Sequence, residues 1–343
     1  MEARSVDALP AGAVWRYEPK WDGFRCLLVR QGVRVLMISK SGQDLARYFP
    51  EIVADAGALP ERHFLLDGEL VVPNSGHFSF DHLLQRIHPA PSRIAKLSHE
   101  TPALFIAFDL LSRGNRRLDR AQLDERRDAL ETFAEDNFGG TRFRLSPSSP
   151  KLSVARRWLQ AAGSGSDGVI AKRRDRPYQF GNRDGMQKIK KHRSADCVIG
   201  GFRYGERRAA RGKVVGSLLL GLYDDDGLLH HVGFTSALKE ADKPALTDML
   251  EAEITDASFT GNAPGGPSRW STRRSAEWVA VKPKRVVEVS YDHFTGGRFR
   301  HGTTILRWRP DKTPQQCTLV QLTQKSALPA RLLRSPADRR KTG

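Results

Sequence analysis

The chain has 343 residues, with 56 Lys+Arg against 39 Asp+Glu for a formal net charge of +17; 39% of it is hydrophobic and 28% charged. That is a globular composition at a length of about two domains, which excludes wholesale disorder and collagen-like or coiled-coil chains. No run approaches the ~18–20 apolar residues of a membrane span, and Met1-Glu-Ala-Arg-Ser5 has no secretory-signal pattern. The 3 cysteines (Cys26, Cys197, Cys317) are too far apart for a disulfide framework or zinc knuckle, so the expected home is a reducing cytoplasm.

The first third reads as short strands. Trp15-Arg-Tyr-Glu18 runs into a turn over Pro19–Gly23; Phe24–Arg30 and Val33–Ile38 follow as strands, split by a hairpin turn at Gln31-Gly32. A helix is expected after Asp44 and a strand at Phe64–Val72. Phe80, Leu83, Leu84 and Ile87 carry helical spacing, and Leu104–Leu111 is an apolar run of buried-strand length. Helices are predicted over 119–136 and Ser153–Ala162, then a Ser164–Gly168 turn and a short strand at Val169–Lys172.

The character changes near 190. Cys197–Phe202, Gly216–Tyr223 and Leu228–Phe234 read as strands, a helix follows at 236–252, and a Gly/Pro/Ser loop at 261–268. Val279–Lys282, Val286–Tyr291 and Ile305–Arg309 complete the strand series. About five strands with one interposed helix suit a Greek-key barrel of the oligonucleotide-binding (OB) type. The expected division is 1–192, 193–325 and a basic, flexible tail at 326–343.

The charge is unevenly spread. Residues 172–213 hold 14 basic and 4 acidic groups, more than half of the excess, whereas residues 1–171 hold 23 and 21. A concentrated basic band attracts phosphates and gains from counterion release.

The sharpest local feature is Glu18-Pro-Lys-Trp-Asp-Gly-Phe-Arg25. Lys20 sits on stiff, strongly specified backbone, where a merely solvating lysine needs no such setting. To act as a nucleophile it must lose its proton, which desolvation or neighbouring cations promote. Asp22 alone pushes the other way, so its expected service is to a hydrogen bond, a metal or a hydroxyl. Met186-Gln-Lys-Ile-Lys190 places Lys188 and Lys190 two apart, on one strand face.

Lys20-Trp-Asp-Gly-Phe-Arg25 resembles the KxDGxR signature of the covalent nucleotidyltransferases: ATP-dependent DNA ligases, RNA ligases and capping guanylyltransferases. Further elements follow in family order. Ser39-Lys-Ser-Gly42 resembles SRxG, with Lys40 in place of the usual arginine. Leu66-Asp-Gly-Glu-Leu70 resembles motif III, and Phe108-Asp109 resembles motif IIIa. Ser166-Asp-Gly-Val-Ile-Ala-Lys172 resembles motif IV with Asp167 in place of glutamate, and Met186–Lys190 resembles motif V. Ile305–Lys312 resembles motif VI, and Phe80-x-x-Leu83-x-x-Arg86 a helix of bacterial-type DNA ligases. Over about residues 10–320 the chain is similar to small bacterial two-domain ATP-dependent repair ligases, the group of LigC and the LigD ligase domain.

The resemblance implies an α+β architecture: an ATP-grasp-like nucleotidyltransferase (adenylation) domain of antiparallel sheets and helices, plus a C-terminal OB-fold barrel. It implies Lys20 as the nucleophile that becomes AMP-lysine, with Asp22 beside it. ATP would be held by Glu18, Arg25, Lys40, Glu69, Phe108 (stacked on adenine), Lys172, Lys188, Lys190, Arg309 and Lys312, and Mg²⁺ or Mn²⁺ by Glu69 and Asp167. The cations would also lower the Lys20 pKa, and a hinge is expected near 190–195. The implied substrate is nicked double-stranded DNA, in repair, recombination or replication, for a cytoplasmic monomer with no membrane partner. A GTP-using capping enzyme or an RNA ligase is the first alternative. A catalytically silent OB-fold nucleic-acid-binding protein is the second, against which the lysine and the carboxylates speak.

Overall fold

The structure is a computed structural model that describes residues 1–74, 76–163, 166–191, 193–209, 212–265, 277–322 and 333. The chain divides into two compact units, 1–191 with 325–343, and 192–324.

The first unit is built on two mainly antiparallel sheets, each with one parallel pair at an edge, β1 with β12 and β10 with β8. It starts with β1 (Arg4–Ser5), β2 (Trp15–Trp21), β3 (Phe24–Gln31) and β4 (Arg34–Ser39), then α1 (Pro50–Ala58) and β5 (His63–Val71). A small hairpin, β6 (Pro73–Asn74) and β7 (His77–Phe78), leads into α2 (Phe80–Gln85) and α3 (Pro91–Glu100). Next come β8 (Leu104–Arg113), β9 (Arg116–Arg117), α4 (Leu123–Asn137), β10 (Phe143–Leu145), α5 (Leu152–Ala161), β11 (Ser166–Arg173) and β12 (Met186–Lys190). One sheet has the order β1-β12-β11-β2 and the other β10-β8-β5-β3-β4.

Strand alternation sends opposite faces to opposite jobs. In the first sheet Tyr17, Val169, Ala171 and Ile189 form an apolar cluster with Ala155 and Trp158 of α5. In the second, Cys26, Leu28, Leu66, Leu70, Phe105 and Ala107 enter the main core with α1 and α4. The other face of each sheet carries the charged residues of the site beside a small apolar cluster of Met1, Leu111, Tyr178 and Met186. The strands at the site approach closely: a Cβ on Gly23 would lie 2.1 Å from the Leu70 carbonyl oxygen, and one on Gly168 1.9 Å from that of Ile189. No other residue fits either place without parting the strands.

The second unit comprises β13 (Arg193–Ala209), β14 (Gly212–Tyr223), β15 (Leu229–Thr235), α6 (Lys243–Glu251), β16 (Val279–Ala280), β17 (Val286–Tyr291), β18 (Phe294–Thr295), β19 (Arg298–Phe299) and β20 (Thr304–Trp308). Its main sheet runs β15-β14-β13-β17-β20. The two outer strands meet through a Thr235–Thr303 bridge, in which the Thr303 amide donates to the Phe234 carbonyl at 3.1 Å. The sheet therefore curls back on itself around Val198, Phe202, Leu218, Leu220, Val232 and Val287, as an OB-type barrel does.

Several details differ from the sequence reading, among them that the helix expected at 236–252 spans Lys243–Glu251 and that β11 starts at Ser166, inside the expected turn. The expected turn at Pro19–Gly23 is shorter, because β2 continues through Lys20 to Trp21; Pro19 pairs with Val169 at a position where its missing N–H costs nothing. The helix α3 was not foreseen, since its apolar positions are sparse. The tail at 326–343 lies outside the described residues apart from Leu333, which is buried against Trp21, Val71, Phe78 and Ile106 of the first unit.

Candidate active site

Cross-strand register assembles the site from alternate residues. On β2, β11 and β12, Glu18 aligns with Ile170 and Lys188, and Lys20 with Gly168 and Lys190. Period two then puts Glu18, Lys20, Lys172, Lys188 and Lys190 on one face, opposite the cluster under α5. On the second sheet Arg25 pairs with Glu69, and Asp67 with Leu27 and Asp109. The two faces bound a cavity of about 440 Å³ lined by Glu18, Lys20, Arg25, Lys40, Glu69, Phe108, Lys172 and Lys188, together with Glu2–Ser5, Arg183 and Met186.

The Lys20 ammonium is paired to Asp167 Oδ2 at 2.5 Å, with its side chain 21% exposed. Burial alone lowers its pKa, but the Asp167 charge and hydrogen bond, with Glu69 and Asp22 behind them, outweigh burial and hold it above the ordinary value. This corrects the expectation that cations depress it: the charges of Asp167, Glu69 and Asp22 hold the amine protonated. Lys190 reaches the same Asp167 oxygen at 3.6 Å. Lys188 has its pKa lowered, by burial first and then by Lys20, Lys190, Lys40 and Arg183. Glu69 accepts from the Gly23 amide at 3.1 Å, and burial pushes its carboxyl up to about 8.

At the other end of the cavity Lys172 pairs with Glu18 Oε2 at 2.9 Å, both side chains under 5% exposed. Lys172 also donates to the Phe108 carbonyl at 3.1 Å, and its Nζ stands 4.8 Å from the Phe108 ring centroid. Phe108 is half-buried and faces the cavity rather than joining the main core, with the Arg25 guanidinium 5.9 Å from its ring. Glu18 Oε1 is buried and has no partner among the described residues. It is an unpaired acceptor on a residue that lines the cavity, and a bound ligand can supply the donor it lacks.

Two residues of the constellation escaped the sequence reading. Asp67 holds Arg25 through two bonds, at 3.1 and 2.6 Å, and the Tyr178 hydroxyl donates to Asp67 at 2.6 Å while accepting from Arg25 at 3.1 Å. Arg25 also donates to the Met1 carbonyl. Asp67 stands two residues before Glu69 on the same face, so strand alternation could have flagged it; nothing local marks Tyr178. Lys40 follows β4, exposed, with Glu2 at 3.5 Å.

Arg86 of the FxxLxxR helix is fully buried. It grips Glu51 with two bonds, at 2.6 and 2.8 Å, and donates to the Tyr48 carbonyl at 2.7 Å. Its position is that of a bolt between α1 and α2. Arg309 and Lys312 belong to the second unit. There, Arg309 Nη1 meets Asp196 Oδ1 at 2.8 Å, and Lys312 Nζ meets Asp196 Oδ2 at 2.5 Å.

The family model for the ATP dependent DNA ligase domain matches residues 3–190, and that for the ATP dependent DNA ligase C terminal region matches 211–312. The chain is 44% identical over 338 residues to DNA ligase C2 of Mycolicibacterium smegmatis, covering 94% of this chain and 93% of that one. It is 34% identical over 311 residues to the multifunctional non-homologous end joining protein LigD of Mycobacterium bovis, covering 88% of this chain and 37% of that protein. The solved structure Pmar-Lig_PreS3 superposes with a TM-score of 0.55 at 15% identity, covering 86% of this chain and 63% of that one, a likeness of fold. No helix among the described residues is long and apolar enough to cross a membrane.

Proposed function

The chain belongs to the ATP-dependent DNA ligase family, and from that premise we propose that it seals 5′-phosphate/3′-hydroxyl nicks in duplex DNA through a lysyl-AMP formed on Lys20. The observation that carries this reading is the placement of Lys20 at a cavity that also presents Arg25, Lys40, Lys172 and Lys188. Lys20 Nζ attacks the α-phosphorus of ATP and expels pyrophosphate. AMP then passes to the 5′-phosphate at the nick, and the 3′-hydroxyl displaces AMP as the strand closes. Such transfers need alignment and charge stabilisation more than covalent chemistry.

The chain's residues divide that labour. Phe108 offers a ring face to the adenine, and the free Glu18 oxygen accepts from the exocyclic amine, which distinguishes adenine from guanine. Lys188 and Lys190 meet the α-phosphate in this scheme, Lys172 faces the nucleotide from its pairing with Glu18, and Arg25 is stiffened by Asp67 and Tyr178. The Lys20 proton must leave before attack, and Asp167, 2.5 Å away, is the group placed to take it. The carboxylates of Asp167, Glu69 and Asp22 around the amine are hard oxygen donors that suit Mg²⁺ or Mn²⁺. A divalent ion bound there would neutralise phosphate charge and release Lys20 from its ion pair.

Arg309 and Lys312 serve the leaving pyrophosphate in this scheme. The barrel carrying them would close for the first step and reopen to clamp DNA, turning at the junction where β12 ends at Lys190 and β13 begins at Arg193. A cross-link locking barrel to adenylation domain should then permit lysine adenylation and block sealing. The likeness to LigD supports a place in DNA repair.

The deciding experiment incubates the protein with α-labelled ATP or GTP and Mg²⁺, with Lys20→Ala as control, then chases with nicked DNA or nicked RNA. Label from ATP that is lost in Lys20→Ala and transferred to nicked DNA is the expected result. Label from GTP, transfer only to RNA, or label surviving in Lys20→Ala would each refute the reading.

A further inference from the structure

We propose that Asp196 is a positioning residue for the adenylation step: its one carboxylate sets both Arg309 and Lys312 in the arrangement that receives pyrophosphate. The inference rests on the role given above to the Arg309–Lys312 segment. No family element noted in the sequence includes Asp196, and the observations that single it out lie wholly within the barrel unit.

The two carboxylate oxygens are divided between two cations. Oδ1 takes Arg309 Nη1 at 2.8 Å and Oδ2 takes Lys312 Nζ at 2.5 Å. Arg309 lies just past β20, its amide bonded to the Val286 carbonyl at 2.9 Å, and the Lys312 amide closes a turn onto the Arg309 carbonyl at 3.2 Å. The other acidic groups near Arg309 do not do the same task. Asp311, 63% exposed, grips Arg309 from outside, with Nε 3.0 and 3.2 Å from its two oxygens and Nη2 2.8 Å from Oδ2, but it is Asp196 that joins Arg309 to Lys312; Glu288 stands 4.0 Å from Nη1. Asp196 is 9% exposed and is itself fixed, because Gln321 donates to its carbonyl at 2.9 Å and accepts from its amide at 2.9 Å.

A lysine is a flexible point charge, and an arginine is a fork with several ways to face. A buried carboxylate shared between them removes that freedom and holds two positive charges side by side, which a diphosphate needs and which two free side chains would resist by repulsion. Asp196 is also the fourth residue of β13, the first strand after the junction with the adenylation domain. Any movement of that strand carries the anchor of both cations with it.

The test uses the full-length protein with Asp196→Asn, Asp196→Glu, Arg309→Ala and Lys312→Ala, and the double variant Asp196→Asn/Arg309→Ala. Two rates are measured: adenylation of Lys20 over a range of ATP, and closure of a nick already carrying 5′-AMP, which bypasses the first step. The expected result for Asp196→Asn is an adenylation rate down about tenfold at saturating ATP with KM changed less than threefold, closure of the pre-adenylated nick within twofold of the parent, partial recovery in Asp196→Glu, and no further loss in the double variant. If Arg309→Ala and Lys312→Ala leave adenylation unchanged, the underlying role of those cations is wrong. If they abolish it while Asp196→Asn does not slow it, or slows both steps equally, Asp196 has no positioning role. A faster adenylation in Asp196→Asn overturns the proposal as well, since the carboxylate would then be a competitor of pyrophosphate.

Discussion

Replacing Glu18 by glutamine keeps the shape of the side chain and changes only what it offers. In the parent, Oε2 is committed to Lys172 at 2.9 Å and Oε1 is buried without a partner among the described residues. In Glu18→Gln the carbonyl must turn to the Lys172 ammonium, so the amide NH₂ takes the place of the free acceptor. An adenine amino group arriving there meets a donor instead of a carboxylate. A hydrogen bond to a charged group is worth about 1.5–3 kcal/mol, which at 1.36 kcal/mol per tenfold predicts about a 10- to 150-fold loss in kcat/KM for adenylation by ATP. Guanine, with an acceptor oxygen at that position, loses nothing and gains a donor, so the ATP/GTP preference narrows by at least that factor. Lys172 meanwhile keeps the Phe108 carbonyl and ring but loses its counter-charge. Cutting one partner from a buried pair costs about 3–5 kcal/mol when nothing replaces it; with the glutamine oxygen in place, about 1–3 kcal/mol is expected, read as a Tm lower by several degrees. The assay is the initial rate of label transfer to Lys20 from α-labelled ATP and GTP, alongside thermal melting. A folded Glu18→Gln protein whose ATP/GTP ratio stays within threefold of the parent would remove Glu18 from base recognition.

Arg86→Ala should cost about 3–5 kcal/mol, because it strands the buried Glu51 carboxylate; denaturant melts check this, and the apolar double variant Glu51→Leu/Arg86→Met should recover much of it. The raised Glu69 carboxyl makes a pH prediction of definite sign. Between the ordinary carboxyl value of 4.5 and about 8 the folded state binds the proton that the unfolded chain has released, so stability falls as pH rises through that window. Glu69→Gln should flatten the decline, seen as a smaller Tm difference between pH 5 and pH 8.5; an unchanged difference counts against it. Because its carboxylate neighbours hold the Lys20 ammonium above its ordinary pKa, only a small deprotonated fraction exists at neutral pH, and the rate of adenylation at saturating ATP should climb about tenfold per pH unit from 6 to 8. Nick binding should weaken about 10³- to 10⁵-fold between 50 and 200 mM salt if 6–10 phosphates are engaged, measured by anisotropy of a labelled nicked duplex. A flat response would reduce the basic band at 172–213 to compositional bias.

The elements that carry chemistry were legible because strand alternation is a local rule. Lys188 and Lys190 share a face by their spacing alone, and Glu18 and Lys20 do so once they stand on one strand. Asp67 was within reach of the same rule, two residues before Glu69 on β5. Arg86 shows the limit of a motif, since its place in FxxLxxR could not tell a substrate contact from the buried grip on Glu51 that the fold makes of it.

What tertiary structure alone decided was partnership and protonation. Glu18 and Lys172 are 154 positions apart, and Lys20 and Asp167 are 147 apart; only the pairing of β2 with β11 makes them neighbours. A pKa depends on which charges lie within a few ångströms and how much water has been removed. The residue types around Lys20 could be read from the chain, but that Asp167 would close on its amine at 2.5 Å and outweigh the effect of burial could not.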